Sequence, residues 1–580
     1  MKTLQKLLYF LTHSERKKAG LLLIIILIMT ILEVLGVASI LPFMNVITNP
    51  SLIETNIILN TMFNVSKKFG IETKTEFSFF LGILMFLILI SSLSFKALSV
   101  YVQSKFIYME EWSISKRLLE TYLHQPYSWF LGRNSAELGT YILSEVGLVV
   151  KQGISPMLNI ISQSIVTTSL IILLLLVDIK LTLIIVFVIG GAYVLIYYLL
   201  RIILDQIGRE RLSANESRFK SINETFGASK EIKVAGLEKT YINRFSNSAL
   251  IYAKHQASAQ LINSLPRLII EAIIFGGMLL LVAYIILKLG NFSNALPIIA
   301  LYAFAGYRLI PSLQQIYIAS VAFKFSKAPI DALYNDLKNL NVSNSNHDQD
   351  QDLEILPFNK SITLKQIHYN YPNSSRKALD DINLTIDAKK NVGIVGSSGS
   401  GKTTAVDIIT GLLEPQKGTI EIDGEVITKK NVKAWRRSIG YVPQHIHLND
   451  DSIAANIAFG VDFKNINYQS VEKAAKAANL HEFVENKLPG KYQTIIGEQG
   501  VRLSGGQRQR IGIARAMYHN PKVLIFDEAT SALDNQTEET IIKELNNLRK
   551  DITIIMIAHR LNTLKDCDII FKLENGKIIV

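Results

Sequence analysis

The chain of 580 residues is poor in cysteine and, over long stretches, in charge. Charged residues make up 19% of the sequence, and its one cysteine, Cys567, cannot form an intramolecular disulfide, which excludes a disulfide-stapled secreted fold. No internal repeat is visible. The formal net charge is +12, but much of it comes from lysines and arginines that flank apolar runs. Because no focused basic segment is visible, no nucleic-acid partner is predicted.

Apolar residues dominate the first half of the chain. Hydrophobic residues make up 49% of the sequence, the mean hydropathy is +0.25, and the apolarity is concentrated before residue 325, which excludes a wholly soluble protein. Six continuous apolar runs are candidate membrane spans: 20–44, 77–101, 154–177, 180–204, 266–289 and 294–320. A helix of about 24 residues is about 36 Å long, enough to cross a hydrocarbon core of about 30 Å. The runs predict six transmembrane helices, with a tight turn at Asp178-Ile-Lys180 between the third and the fourth.

The charged residues beside these runs predict how the chain is oriented in the membrane. The residues that precede the first span include five cations: Lys2, Lys6, Arg16, Lys17 and Lys18. They place the N terminus in the cytoplasm, and an even number of spans returns the rest of the chain there. A cleaved signal peptide is the competing interpretation, but the first run is too long and lacks a clear small-residue cleavage site. The charged, helical stretches 102–153 and 205–265 cannot lie in lipid and are expected to project into the cytoplasm.

A polar segment at 341–352 separates this half from the rest. It contains one apolar residue among asparagines, aspartates, serines and glutamines, which is typical of a linker. The predicted organisation is therefore a transmembrane domain at 1–338, a linker at 339–354 and a second domain at 355–580.

The second domain contains a complete GxxxxGK[ST] motif between a strand-like run, 391–395, and a helical pattern, 404–413. Such a loop holds phosphate on backbone N–H groups and on the N terminus of the helix that follows. The predicted nucleotide-binding residues of this loop are Gly396, Ser397, Ser398, Gly399, Ser400, Gly401, Lys402, Thr403 and Thr404. The positively charged side chain of Lys402 is expected to contact the β- and γ-phosphates, and the hydroxyl of Thr403 is expected to ligate Mg²⁺.

A second motif follows about 120 residues later, where the apolar strand 522–526 ends in Asp527 and Glu528. Ligands bind at the carboxyl ends of strands in α/β sheets. Asp527 is predicted to hold Mg²⁺ and Glu528 to polarise the attacking water in ATP hydrolysis. An acidic pair that only caps a strand is the alternative.

Between the two motifs, the segment Leu503-Ser-Gly-Gly-Gln-Arg-Gln-Arg510 resembles the signature of ABC ATPases. The other motifs of that family appear in its order: Tyr371, Gln444 in Tyr-Val-Pro-Gln, Glu498 in Gly-Glu-Gln-Gly, Asp534 in Ser-Ala-Leu-Asp, and His559 in Ala-His-Arg. The resemblance covers about 355–580. It implies an α/β P-loop ABC ATPase domain that follows a helical bundle of six transmembrane helices, as in type I ABC exporters.

The same resemblance implies a homodimer. Each ATP would lie between the phosphate loop of one subunit and Ser504, Gly505, Gly506 and Gln507 of the other. Tyr371 would stack on adenine, Gln444 would sense the γ-phosphate and ligate Mg²⁺, Asp534 would belong to the nucleotide site, and His559 would contact the γ-phosphate as a catalytic switch. Coupling helices are expected at 126–139 and 227–238, although ordinary loop helices would give similar patterns.

The expected cargo follows from ionisable residues in the predicted spans, which are costly in lipid and usually face a cavity or a partner. They are Glu33, Lys96, Arg267, Glu271 and Arg308. Segments around Glu33, Arg267 and Arg308 resemble bacterial lipid-linked oligosaccharide flippases, in which cations engage a polyprenyl diphosphate. Lys96, Arg267 and Arg308 are therefore the predicted substrate residues. Arg267 and Glu271 could instead form a structural pair, and Lys96 could extend to the membrane surface.

The predicted function is ATP-driven movement of an anionic lipid-linked oligosaccharide to the outer leaflet of a bacterial inner membrane, with ATP and Mg²⁺ as cofactors. A lipid A-type glycolipid, drugs or a peptide are alternative cargoes, and an ATP-gated channel or regulator is an alternative class.

The apolar clusters in 52–69 also predict a short external helix that could contact lipid tails. Packing of that helix on the bundle is the alternative.

Overall fold

The computed structural model describes residues 2–340 except 69, 290 and 291, and residues 355–579 except 373, 375, 498, 499, 529–551, 558–564 and 566. Within helices, some side chains are also not described, among them those at 266, 267, 270, 273–275 and 278–299. The chain forms two compact units. One comprises Met1–Gln125 and Arg133–Ser343 and is called the membrane unit, because it contains the predicted spans. The other comprises Pro126–Gly132 and Asn344–Val580 and is called the ATPase unit, because it contains the predicted ATPase motifs.

The N-terminal part is helical. Its helices are, in chain order, α1 Lys2–Phe10, α2 His13–Ala38, α3 Ile40–Thr48, α4 Leu52–Thr55, α5 Ile57–Lys67, α6 Lys74–Leu123, α7 Tyr127–Phe130, α8 Ser135–Thr140, α9 Val146–Val149, α10 Ser155–Val177, α11 Ile179–Gly227, α12 Ser229–Ala235, α13 Glu238–Leu289, α14 Phe292–Phe325 and α15 Lys327–Asn339. Two π-helical turns, Tyr141–Glu145 and Val150–Ile154, join α8, α9 and α10 into one continuous helix.

Four helices among the described residues are long and apolar enough to cross a membrane: His13–Thr48, Lys74–Leu123, Ser135–Val177 and Ile179–Leu200. The fifth and sixth predicted runs lie in α13 and α14, but many of the side chains of the fifth and some of those of the sixth are not described. The total of six spans therefore stays a prediction. α6, with 50 residues, is about 75 Å long, so it extends far beyond a bilayer core of about 30 Å.

The hydropathy of the first apolar run suggested one regular helix, but the structure divides this run between two helices. α2 ends at Ala38, and α3 begins at Ile40. Pro42 explains the break, because it has no N–H group to donate to the carbonyl of Ala38. The tight turn predicted at Asp178-Ile-Lys180 is shorter in the structure, because α11 begins at Ile179 and Asp178 alone separates it from α10. The carboxylate of Asp178 caps α11 by accepting a hydrogen bond from the N–H of Leu181 (3.1 Å).

The predicted external segment is helical in α4 and α5. Leu59 is buried beside Phe77 and Leu81 at the start of α6, while Ile57 and Ile58 are exposed. One face of α5 thus packs on the bundle, and its contact with lipid stays a prediction.

The ATPase unit contains two sheets. Its strands are β1 Ser361–Tyr369, β2 Leu379–Asp387, β3 Asn391–Gly396, β4 Lys417–Ile422, β5 Glu425–Val426, β6 Ile439–Val442, β7 Val523–Asp527, β8 Thr553–Ile557, β9 Ile569–Glu574 and β10 Lys577–Ile579. Its helices are α16 Lys402–Ile409, α17 Val432–Arg437, α18 Ile453–Ile457, α19 Tyr468–Ala477, α20 His481–Lys487 and α21 Gly505–Met517.

The larger sheet has the order β10-β9-β3-β8-β7-β6, and β3, β9, β8, β7 and β6 run parallel. The smaller sheet, β2-β1-β4-β5, is antiparallel. Every residue of β7 and β8 is buried, which explains their continuous apolar sequences. β3 and β7 both pair with β8, so the ends that carry the two predicted nucleotide motifs lie on the same edge of the sheet.

Candidate functional site

The phosphate loop connects β3 to α16 and requires glycine at two positions. Gly396 has φ +156°, and a Cβ atom there would lie 2.2 Å from the carbonyl oxygen of Leu573. Gly401 has φ +105°, and its Cβ would lie 2.6 Å from the carbonyl oxygen of Ala378. No side chain fits at either place, so the loop can take its curvature only with these glycines.

Polar groups of the loop are poised for an anion. The Nζ atom of Lys402 donates to the carbonyl oxygens of Gly396 (2.9 Å) and Ser397 (3.0 Å), so the ammonium group lies inside the loop. The hydroxyl oxygen of Ser400 is buried and has no hydrogen-bond partner among the described residues. A phosphate group would supply acceptors to both side chains, so the loop fits the nucleotide predicted from its sequence.

Asp527 ends β7 beside this loop. Burial, with the neighbouring charge of Glu528, raises its pKa, while a hydrogen bond from the hydroxyl of Tyr441 (3.1 Å) and the charge of Lys402 act in the opposite direction. Asp407 on α16 is a second buried carboxyl group, and burial and the charge of Asp527 raise its pKa to about 6. The charge of one carboxyl group thus acts on the other, and carboxylate oxygens are ligands that Mg²⁺ prefers.

Glu528 and Gln444, predicted separately, are in direct contact. The Nε2 atom of Gln444 donates to Oε2 of Glu528 (2.7 Å). Glu528 also has φ +50°, a rare conformation for a residue other than glycine, and such strain is commonly stored at functional sites. Both side chains follow parallel strands that pair with each other, β6 and β7, which explains how residues 84 positions apart meet.

Tyr371 is held by the same loop region. Its hydroxyl shares a hydrogen bond with the hydroxyl of Thr404 (3.0 Å), and its ring stands edge-on to Tyr369. Thr403, the second residue of α16, is exposed. The adenine contact of Tyr371 and the Mg²⁺ ligation by Thr403 stay predictions.

The signature residues begin α21 with a capping box. The hydroxyl of Ser504 accepts from the N–H of Gln507 (3.2 Å), and the side chain of Gln507 accepts from the N–H of Ser504 (2.8 Å). Gln507 therefore has a local structural role that the sequence analysis missed, although the spacing Ser504-Gly-Gly-Gln507 is the pattern of a capping box. Among the hydrogen bonds of the described residues, the hydroxyl of Ser504 only accepts, so its hydrogen can be donated to a ligand beyond the helix N terminus.

Three residues named from the family resemblance, Glu498, Asp534 and His559, lie outside the described residues. Sequence reasoning also missed Tyr441 and Asp407. Tyr441 could have been found from its position in β6, two places before Pro443, since strand ends next to a nucleotide loop are favourable sites for ligand groups.

Tyr441 provides a test of this geometry. Replacing Tyr441 with Phe removes the hydrogen bond to Asp527 and leaves that carboxylate less well oriented. We expect the Mg²⁺ concentration that half-saturates ATP hydrolysis to rise roughly tenfold, the usual effect of losing a hydrogen-bonding partner of a metal ligand. A Tyr468→Phe variant, which alters an exposed tyrosine, is the control. Unchanged Mg²⁺ dependence in Tyr441→Phe would exclude a role for this hydrogen bond.

The membrane unit places two of the predicted substrate residues on one carboxylate. Nη1 of Arg308 donates to Oε1 of Glu33 (2.9 Å), and Nζ of Lys96 lies 3.4 Å from the same oxygen. Glu33 was noted in the sequence as an intramembrane ionisable residue, but its pairing was not predicted. Arg267 lies in α13, and its side chain is outside the described residues. Lys96 and Arg308 thus share one carboxylate oxygen of Glu33.

The fold and the site together define a nucleotide-binding P-loop domain joined to a helical membrane domain. Comparison with known families agrees: residues 18–306 match the ABC transporter transmembrane region, and residues 379–531 match the ABC transporter ATPase domain. The chain belongs to the ABC transporters, with the membrane and ATP-binding ATPase domains fused. A solved structure of a bacterial Atm1-family ABC exporter with ATP bound has the same fold, with a TM-score of 0.76, 22% identity, and coverage of 97% of this chain and 94% of that one.

Similar curated proteins include two ATP-dependent lipid A-core flippases. That of Saccharophagus degradans is 45% identical over 38% of this chain and 36% of its own length, and that of Chromobacterium violaceum is 28% identical over 80% of this chain and 78% of its own. The alpha-hemolysin translocation ATP-binding protein HlyB of Escherichia coli is 44% identical over 39% of this chain and 32% of its own length. At 44–45% identity, the chain thus spans about a third of the length of two of these relatives, 36% of the Saccharophagus degradans flippase and 32% of HlyB.

Proposed function

We propose that the protein is one half of a homodimeric ABC exporter of the bacterial inner membrane, and that it moves an anionic lipid-linked oligosaccharide, a polyprenyl-diphosphate glycan, to the outer leaflet. The observation that carries the proposal is the convergence of Lys96 and Arg308 on Glu33, because it concentrates cations at one place in the membrane unit. A charge that faces lipid is costly, so the exposed parts of both cations are expected to face an aqueous path.

The ATPase unit supplies the work. The phosphate loop with Lys402 holds the phosphates of ATP, and the side chains of Thr403, Gln444 and Asp527 would hold Mg²⁺, which when bound neutralises charge that develops on the phosphates. Glu528 orients the attacking water and accepts its proton, while Gln444 fixes the position of Glu528. The site is completed across the dimer by Ser504 of the partner subunit.

The coupling role of the first predicted coupling helix has specific support. α7 and its flanking residues, Pro126–Gly132, belong to the same compact unit as the ATPase, although the sequence on both sides belongs to the membrane unit. Within that unit, burial and the nearby charge of Asp407 raise the pKa of Tyr127. This segment connects two helices of the membrane unit but belongs to the ATPase unit, where it lies near α16, the helix that follows the phosphate loop. Such a segment would transmit closure of the ATPase dimer to the membrane unit.

A lipid A-type glycolipid is the second candidate cargo. Relatives of the chain are named lipid A-core flippases, and a phosphorylated glycolipid would also suit the two cations. The proposal is tested by adding each lipid to the protein in nanodiscs and measuring ATP hydrolysis. Stimulation by the polyprenyl-diphosphate glycan at concentrations at which lipid A has no effect supports the proposal. The reverse order of potency assigns the cargo to lipid A-type glycolipids.

Arg308→Ala tests the place of cargo binding. Loss of a charge-assisted hydrogen bond to the headgroup is expected to raise the half-maximal concentration of the polyprenyl-diphosphate glycan about tenfold or more, while hydrolysis without lipid stays close to wild type. Arg209→Ala, which removes an exposed arginine of the same unit, is the control. An unchanged response of Arg308→Ala to the lipid would exclude Arg308 from the cargo site.

A further inference from the structure

Glu33 connects three helices through one oxygen atom. It lies in α2, and its Oε1 atom contacts Arg308 of α14 at 2.9 Å and Lys96 of α6 at 3.4 Å. α2 and α6 also approach each other closely just beyond this point, because a Cβ atom at Gly36 would lie 3.2 Å from Cδ2 of Leu89. The carboxylate is therefore part of a packed interface, and it places the two cations side by side.

The three side chains of the cluster differ in how far they are exposed. The side chain of Glu33 is 4% exposed, that of Arg308 16% and that of Lys96 43%. The carboxylate thus lies behind the cations, and an approaching ligand meets the cations first. Among the hydrogen bonds of the described residues, Arg308 uses only Nη1 of its guanidinium side chain, so its other N–H donors stay available.

The carboxylate also sets the net charge of the cluster. Two cations and one buried carboxylate sum to +1, whereas the cations alone would sum to +2. In a medium of low dielectric constant, one unit of charge at this distance changes the affinity for an anion substantially. A transporter has to release its cargo as well as bind it, so a weaker positive charge favours turnover.

We propose that Glu33 is a positioning residue that joins Lys96 and Arg308 into one binding site for a phosphate-bearing lipid headgroup and limits the charge of that site so that the headgroup can leave. The inference rests on the proposed transport of an anionic lipid. It adds a residue of the opposite charge to the predicted substrate site. The positioning of the two cations by Glu33 would favour binding of the headgroup, and the lower net charge would favour its release.

Glu33→Gln separates these two effects, because it keeps the size and a carbonyl acceptor but removes the charge. We expect the half-maximal concentration of polyprenyl-diphosphate glycan for stimulation of ATP hydrolysis in nanodiscs to fall roughly tenfold, and the maximal stimulated rate to fall several-fold because release is slower. Glu33→Ala, which also removes the acceptor for Arg308, is expected to raise the half-maximal concentration instead. Glu33→Asp should recover part of the wild-type behaviour.

Glu120→Gln is the matched control, since Glu120 forms an exposed pair with Lys116 on α6, the helix that carries Lys96, and lies outside the cluster and outside the segment 52–69. It should leave both kinetic quantities unchanged. A purely structural role for Glu33 would lower the melting temperature of Glu33→Gln and leave its half-maximal lipid concentration unchanged or higher, which overturns the inference. If wild-type protein is not stimulated by the polyprenyl-diphosphate glycan at all, the proposed cargo fails, and the inference fails with it. Stimulation of the wild type without a shift in Glu33→Gln overturns the inference alone.

Discussion

Glu528→Gln protein is expected to bind ATP with nearly wild-type affinity and to hydrolyse it at least about 100-fold more slowly, the usual effect of removing a general base. The glutamine side chain fits the same place, because its carbonyl oxygen can still accept the hydrogen bond that Nε2 of Gln444 donates at 2.7 Å. An amide cannot accept the proton of the attacking water. Phosphate release at steady state and equilibrium binding of labelled ATP measure the two quantities separately.

Glu472→Gln is the control for this change, because Glu472 is an exposed residue of the ATPase unit that pairs with Lys476. It should hydrolyse ATP at the wild-type rate. If Glu528→Gln also kept the wild-type rate, the assignment of Glu528 as the base would be wrong. Loss of ATP binding in Glu528→Gln would instead show that the substitution disturbs the phosphate loop.

Glu145→Ala is expected to lower the free energy of unfolding of the membrane unit by about 3 to 5 kcal/mol, the usual cost of removing one partner of a buried ion pair. Nη2 of Arg211 donates to Oε2 of Glu145 at 2.7 Å, and both side chains are fully buried. Asn215 donates to the other carboxylate oxygen at 2.8 Å. Without Glu145, the charge of Arg211 would remain buried with no acceptor from that residue.

The melting temperature in detergent and the yield of folded protein measure this effect. Lys220→Ala removes an exposed i,i+4 pair with Glu224 on α11, the helix that carries Arg211, and should change stability by less than about 1 kcal/mol. Equal melting temperatures of Glu145→Ala and Lys220→Ala would show that the buried pair does not stabilise the fold.

Local patterns predicted the motifs of the ATPase unit well. The glycine loop, the apolar strand before Asp527 and the start of α21 at the signature depend on neighbouring residues, and the structure has a strand or helix at each of these places. The helix after the loop is shorter than the predicted 404–413: α16 is Lys402–Ile409, and Gly411, with φ +69°, follows its end. Their contacts across the sheet were harder to predict. The bond between Tyr441 and Asp527 joins residues 86 positions apart and depends on the order of strands in the sheet.

The membrane unit shows the same limit. Hydropathy predicted where the helices lie, but it could not predict the break at Ser39, which depends on a single proline, or the two π-helical turns. The pairing of Glu33 with Arg308 joins residues 275 positions apart. Each residue was identified as unusual because it is ionisable within an apolar run, whereas their contact depends on how the helices pack.

Cargo movement in proteoliposomes tests the central claim most directly. Protein is reconstituted with a polyprenyl-diphosphate glycan, and the glycan that becomes accessible on the side opposite to the ATPase domain is measured with and without ATP. The proposed function predicts ATP-dependent movement by the wild type and none by Glu528→Gln. Robust ATP hydrolysis by the wild type with no movement of this lipid would contradict the proposed cargo.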